Sequence, residues 1–194
     1  MAVNFMKSLQ GAKAVVQLYA VAFLVLAFPA CLAGAEKTLG EKVIAFCQLS
    51  RGRMVGNGQC SSLAQHALLA AGARGRAEDS PGPDDYTWGR QVFLLSNAQA
   101  GPATEGKIED VKPGCIIQFR DARWSGKTPR GRYWMEMEHH PAVVAAVEEK
   151  GAFLRILHQN YGNHKLVTEA RLRLSDLRNG WLRVYEPVPA QPLP

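Results

Sequence analysis

Gly52-Arg53-Met54-Val55-Gly56-Asn57-Gly58-Gln59-Cys60 runs directly into Ser61-Ser62-Leu63-Ala64-Gln65-His66-Ala67-Leu68-Leu69-Ala70-Ala71-Gly72-Ala73. The first part is too rich in glycine to hold a helix. The second is rich in Ala and Leu and carries Gly72 near its end, so it predicts a helix of about three turns over 61–73 with a glycine stop. Cys60 therefore sits where a flexible turn meets a helix mouth. The unpaired first-turn N–H groups and the helix dipole favour an anion there, which predicts a lowered thiol pKa. The same N–H groups, with the Gln59 side chain, are placed to face an oxyanion. Gly56 and Gly58 would let a substrate backbone come close.

A nucleophilic thiol needs a base, and the base needs an orienting group. Further along, Glu138-His139-His140-Pro141 opens the apolar run Ala142-Val143-Val144-Ala145-Ala146-Val147-Glu148. Glu149-Lys150-Gly151 then gives a tight hairpin signal before Ala152-Phe153-Leu154-Arg155-Ile156-Leu157-His158-Gln159. An antiparallel hairpin sets the start of its first strand beside the end of its second. His140 is thus expected next to His158 and Asn160, either of which could hold the imidazole. His139 reads as a surface neighbour of the base, His66 as a polar helix-face residue and His164 as a turn residue. The three histidines 139, 140 and 158 lack a usual zinc-ligand spacing, so no metal and no cofactor are expected.

The rest of the chain supplies an α+β layout, with helices first and a mostly antiparallel sheet after them. Residues 37–51 suit a short amphipathic helix. Residues 74–83 read as loop, and 84–97 are ambiguous with a short helix preferred. Pro113-Gly114 marks a turn into the strand Cys115-Ile116-Ile117-Gln118-Phe119, and 121–134 read as a basic loop with Trp124, Tyr133 and Trp134. That loop reads as solvated, with the grip of an anionic polymer as the alternative. Trp88 is either core or cleft lining. Residues 165–168 and 181–186 read as further strands. The proline-rich tail 188–194 is expected to be extended and unpaired.

These motifs together resemble the CHAP amidohydrolase/peptidase families. Gly58-Gln59-Cys60 is similar to their Gly-x-Cys helix start. His140-Pro141-Ala142-Val143-Val144 is similar to their Gly-His-x-Ala-Val-Val segment, and His158-Gln159-Asn160 to their Glu-x-Asn. A nearer resemblance is to the cysteine-proteinase-fold domain at the C-terminus of fungal actin-patch scaffold proteins. It is carried by Gly58 to Ala64, Pro113 to Phe119, His139 to Ala142 and Gln159-Asn160. The resemblance covers roughly 55–187 and implies a papain-like α+β fold over 36–187. It implies Cys60 as nucleophile, His140 as base, Asn160 or His158 as its orienting partner, and Gln59 and Gly58 beside the oxyanion or substrate. Two positions depart from the pattern: Cys115 stands where Asp is usual after Pro-Gly, and His158 stands for a Glu. The implied activity is hydrolysis of amide bonds in peptides or peptidoglycan; the alternative is a non-catalytic binding or scaffold module.

The chain has 194 residues, 47% hydrophobic and 21% charged, with 18 Gly and 11 Pro. Collagen, coiled coils, low-complexity disorder and multi-span transporters are excluded by that composition. Residues 14–35 are uncharged, follow Lys7 and Lys13, and end Ala33-Gly34-Ala35, which predicts a signal peptide over 1–35 and a secreted or periplasmic domain. An uncleaved leader would be the one route to a membrane. Net charge is +6, two of it from the leader lysines, which is too little to call for nucleic acid. Beyond Cys31 in the leader, Cys47, Cys60 and Cys115 remain. This odd count leaves at least one thiol unpaired in an oxidising compartment. Cys47 and Cys115 read as buried thiols, with a Cys47–Cys115 disulfide as the alternative.

Overall fold

The computed structural model describes residues 36–82, 85–99 and 101–190. The leader expected over 1–35 and the last four tail residues lie outside them. Two helices open the domain. α1 (Leu39–Leu49) starts at Thr38, whose hydroxyl accepts from the Glu41 N–H while the Glu41 carboxylate accepts from the Thr38 N–H. This reciprocal cap satisfies two first-turn donors. α2 (Cys60–Ala70) follows the glycine-rich turn.

Nine strands follow: β1 (Ala77–Gly82), β2 (Asp85–Thr87), β3 (Arg90–Ala98), β4 (Gly101–Gly106), β5 (Ile116–Thr128), β6 (Gly131–Glu148), β7 (Phe153–His158), β8 (Thr168–Arg173) and β9 (Leu177–Glu186). β1 and β2 form a small hairpin. The other seven make one antiparallel sheet in the order β4-β3-β9-β5-β6-β7-β8. The layout is α+β, with two helices packed on an antiparallel sheet, as expected.

The two faces of the sheet bury different things. α1 and α2 lay Val43, Cys47, Leu63 and Leu68 over Ile116, Val143, Leu157 and Tyr185. On the other face a second cluster runs from Phe93 on β3 through Val184, Ile117, Phe119, Val144 and Ile156 to Leu172 on β8. No helix covers that cluster among the described residues; the twisted sheet closes on its own side chains. Trp88 is core, wholly buried, its indole N–H donating to Gln118 Oε1 at 2.9 Å.

Several expectations are corrected. Residues 74–83 are not loop, since β1 pairs there with β2. Where a helix was preferred over 84–97, residues 85–87 and 90–97 form strands. Val92 and Phe93 bury into the sheet core, and β3 is held between β4 and β9. The basic loop 121–134 is the outer part of a long hairpin, with β5 and β6 paired as far as Thr128↔Gly131. The strand expected over 165–168 starts at Thr168. The tail is pinned through residue 190, with Arg74 N–H donating to the Val188 carbonyl and Ala190 N–H to that of Gly72. Cys47 and Cys115 are buried free thiols, without a disulfide. Among the described residues no helix is long and apolar enough to cross a membrane.

Candidate active site

Cys60 is the first residue of α2, directly after the extended Gln59. Glycine at position 58 is demanded by the turn. Its φ is +81°, and a Cβ there would lie 2.9 Å from Met54 Sδ and 3.1 Å from Lys165 Cδ. The space above Gly58 is thus already filled by this chain's own side chains. Gln159 ties the turn to the sheet: its amide accepts from Val55 N–H at 3.1 Å and donates to the carbonyls of Val55 at 3.0 Å and Gln59 at 2.6 Å. A wholly buried amide with three backbone partners is a stiff anchor, because breaking any one bond strands a polar group. The sequence reading passed over Gln159. Its place between His158 and Asn160, at the end of an apolar strand, was the available signal.

β6 carries the histidines. Its pairing with β7 begins at Val143↔Leu157, so residues 139–142 have a strand neighbour on the β5 flank only. α2 brings its N-terminus to that region, where the Cys60 thiol donates to the His139 carbonyl at 3.8 Å. His140, in step with Ala142 and Val144, turns its ring to the face away from the helices. His158 follows Leu154 and Ile156 onto the same face. Their rings meet, with Nε2 of His140 3.0 Å from Nδ1 of His158. Phe119 stacks on His140 with centroids 6.4 Å apart, and Tyr161 closes over both imidazoles at 6.3 and 5.4 Å.

Asn160 takes a different partner. Held at φ +60°, it donates from Nδ2 to Gln59 Oε1 at 3.0 Å. This bond leaves the Gln59 Nε2 as the end of that amide available to an incoming oxygen. The candidates thus fall into three contacts: Cys60 with the His139 carbonyl, His140 with His158, and Asn160 with Gln59. Among the described residues Cys60 donates to a carbonyl rather than to the His140 or His158 ring, and Asn160 to Gln59 rather than to His140. The His139 ring is exposed and set against Arg120, which also pairs with Asp85 at 2.6 Å. A cleft of about 520 Å³ opens beside the pair, lined by Trp134, Glu138, His139, His140, Asn160 and Tyr161.

The thiol and the two paired imidazoles are neutral at rest. Burial pushes the Cys60 thiol up, and the helix-mouth N–H groups of Cys60 and Ser61 offset only part of it. The expectation of a thiol lowered by the helix mouth is therefore overturned, because desolvation outweighs the dipole. Burial also drives His140 down to about 3, helped by the neighbouring His158, and His158 down to about 4. Both imidazoles are neutral at ordinary pH. Among the described residues no group of three or more His, Cys, Asp or Glu is arranged to hold a metal.

The model of the AIM3/BBC1 cysteine proteinase-fold domain matches residues 29–193. The chain belongs to that family. The resemblance to the fungal domain is thereby borne out. Over 158 residues the chain is 27% identical to Altered inheritance of mitochondria protein 3 of Debaryomyces hansenii, a match covering 80% of this chain and 16% of that protein. The chain thus spans well under a quarter of the length of this relative. Among solved structures it is similar to the crystal structure of Ly7917, at 21% identity and a TM-score of 0.46, covering 77% of this chain and 63% of that one. It is similar also to Ly7917 with the hydrolyzing product of MDP, at 22% identity and 0.44, covering 78% and 63%.

Proposed function

We propose that this domain is a cysteine hydrolase of amide bonds, with Cys60 as nucleophile, His140 as base and His158 as the residue that orients it. The observation that carries the reading is the 3.0 Å contact between His140 Nε2 and His158 Nδ1, one peptide unit from the carbonyl that holds the thiol. In this reading His140 donates from Nε2 to His158 Nδ1, the tautomer that leaves His140 Nδ1 as the basic nitrogen. The thiol lies on the helix side of β6 and the His140 ring on the other, so the attack requires the ring to turn toward the thiol; Cys60 then gives its proton to the free imidazole nitrogen as its sulfur bonds to the substrate carbonyl carbon. The resulting oxyanion faces the Cys60 N–H and the Gln59 Nε2. His140 then returns the proton to the leaving amine, and water releases the acyl group by the same route in reverse. With thiol and imidazole both neutral at rest, proton transfer belongs to the attack itself rather than to a preformed ion pair.

Substrate and location follow from the leader reading: an exported domain would meet peptide or peptidoglycan amides. A second reading, a binding or scaffold module that keeps the fold, is favoured by one feature. The thiol donates to a peptide carbonyl and not to an imidazole. One experiment separates the two. The purified domain is mixed with p-nitrophenyl acetate, and acetyl transfer to Cys60 is followed by mass spectrometry together with turnover. The hydrolase reading expects an acetylated Cys60 that turns over, none in Cys60→Ser, and a loss of about 10²–10⁴ in His140→Ala. Acetylation of His140→Ala at the wild-type rate removes the base and leaves the binding module. Digestion of purified cell-wall peptidoglycan, with Cys60→Ala as control, tests the substrate class.

A further inference from the structure

The tip of the β5–β6 hairpin stands apart from the candidate active site and has a chemistry of its own. Lys127 and Arg132 are directly paired across the two strands, and Arg130 lies in the turn between them. All three are exposed, and none has an ion-pair partner among the described residues. Like charges set opposite each other across a sheet repel, so this arrangement costs stability in the free protein. Behind the tip, β7 and β8 present Phe153, Arg171 and Arg173. The Arg171 guanidinium lies 3.6 Å and that of Arg173 4.9 Å from the Phe153 ring centre. Between these elements is a pocket of about 280 Å³ lined by Lys127, Thr128, Tyr133, Phe153, Arg171 and Arg173.

The carboxylates nearby are too few to neutralise it. Arg171 is held by Glu148 at 2.8 Å and Glu149 at 2.7 Å, and Glu148 also faces Arg155. Asp176 is taken at 3.2 Å by Arg178 and at 2.7 Å by the Tyr133 hydroxyl, leaving Arg173 4.0 Å away from it. Seven cationic side chains (Lys127, Arg130, Arg132, Arg155, Arg171, Arg173 and Arg178) thus stand against three acids.

We propose that this pocket binds a phosphate monoester group, with Lys127 and Arg173 as its charged contacts. A doubly charged tetrahedral anion matches this setting better than a carboxylate. Several donors reach it from different sides, it can accept from all of them at once, and it relieves the Lys127–Arg132 repulsion. Arg171 serves as the fixed wall, locked by Glu148 and Glu149 and stacked on Phe153. The Thr128 hydroxyl holds the turn in shape, donating to the Gly131 carbonyl at 3.2 Å and accepting from the Arg130 N–H at 3.2 Å. The reading is independent of the thiol chemistry.

The phosphoryl group can arrive on a lipid headgroup or free in solution, and two arms of one experiment separate these sources. The whole domain is titrated with inorganic pyrophosphate, following heat and thermal unfolding. It is then floated with phosphatidylcholine vesicles doped with phosphatidic acid or, as a charge control, with phosphatidylserine. The proposal expects saturable binding of pyrophosphate and a raised Tm. Lys127→Gln and Arg173→Gln should each weaken binding about tenfold or more, the loss of one charge-assisted contact. Lys127→Glu should raise the Tm of the free domain, because the repulsion is gone, and should abolish the shift with pyrophosphate. Flotation with phosphatidic acid but not phosphatidylserine assigns the group to a lipid; pyrophosphate binding without flotation assigns it to a soluble ligand. Absence of pyrophosphate binding overturns the proposal. So does unchanged binding in both glutamine variants, or equal flotation on both acidic lipids without pyrophosphate binding.

Discussion

The two ends of β6 are a natural pair for comparison. At one end, His140 to Val144 are buried, and the His140 imidazole is held in its neutral form. At the other, Gly131 to Trp134 reach toward β7 and β8, where cations outnumber the acids that meet them. One strand therefore spans both regimes. Where water is excluded, desolvation decides the charge state, to the point of outweighing a helix dipole at Cys60. Where water remains, repulsion between cations is screened and tolerated, so charge can be spent on recognition.

Two tryptophans in adjacent pairs of the outer β5–β6 hairpin, Trp124 opposite Met135 and Trp134 opposite Ser125, show that burial rather than place along the strand sets the regime. Trp124, 1% exposed, packs edge-on against Phe119 with centroids 5.5 Å apart; Trp134 is 76% exposed. Trp124→Ala should cost about 3–5 kcal/mol in urea unfolding. Trp134→Ala should stay within about 0.5 kcal/mol. Similar costs for both would break the comparison.

Acid probes the buried end next. His140 and His158 have folded-state pKa values of about 3 and 4, below their ordinary 6.5, so the unfolded chain binds more protons in that interval. Their contribution is present in full above pH 6.5 and is lost as pH falls toward 4 and then 3. The slope is about 1.4 kcal/mol per histidine per pH unit. Unfolding free energies measured between pH 7 and 5 should fall steeply in the wild type and less steeply in His158→Gln. An equal slope in both would show that the pair is not the source.

Smaller effects lie at the supports. Gln159→Ala strands the Val55 N–H and two carbonyls, and should cost about 1–3 kcal/mol while also loosening the Cys60 turn. A gain in hydrogen exchange confined to residues 55–59 would be its signature. Thr38→Ala, which removes only the α1 cap, should cost about 1 kcal/mol. These last two are separated by where exchange quickens, near Gln59 or near Glu41.

Legibility in the sequence followed how local each signal was. α2 was readable because a glycine turn, an Ala/Leu run and Gly72 all agree within one segment. The β6–β7 hairpin was readable from Glu149-Lys150-Gly151 between two apolar runs, and with it the approach of His140 to His158. The Gln-Val-Phe-Leu-Leu run at 91–95 was misread as helical because its apolar residues fit either period. What makes it a strand is β9, some ninety residues later, pairing along it. The outer hairpin was misread as loop because its polar, glycine-containing tip lacks the alternation of a half-buried strand. Asn160 and His158 stayed unresolved as partners of His140, since both lie at the end of one strand and only the turn at φ +60° sends Asn160 to Gln59.

The sequence alone determined which groups are brought into one neighbourhood, because order along the chain and hairpin geometry are local properties: a cysteine at a helix start, two histidines at the open end of one hairpin, a cationic loop. Tertiary structure alone decided their state. Whether the thiol and imidazoles carry charge, which partner each side chain takes, and that seven cations gather at one corner all depend on burial and on strands far apart in the chain. Desolvation and long-range pairing are fixed only when the sheet closes.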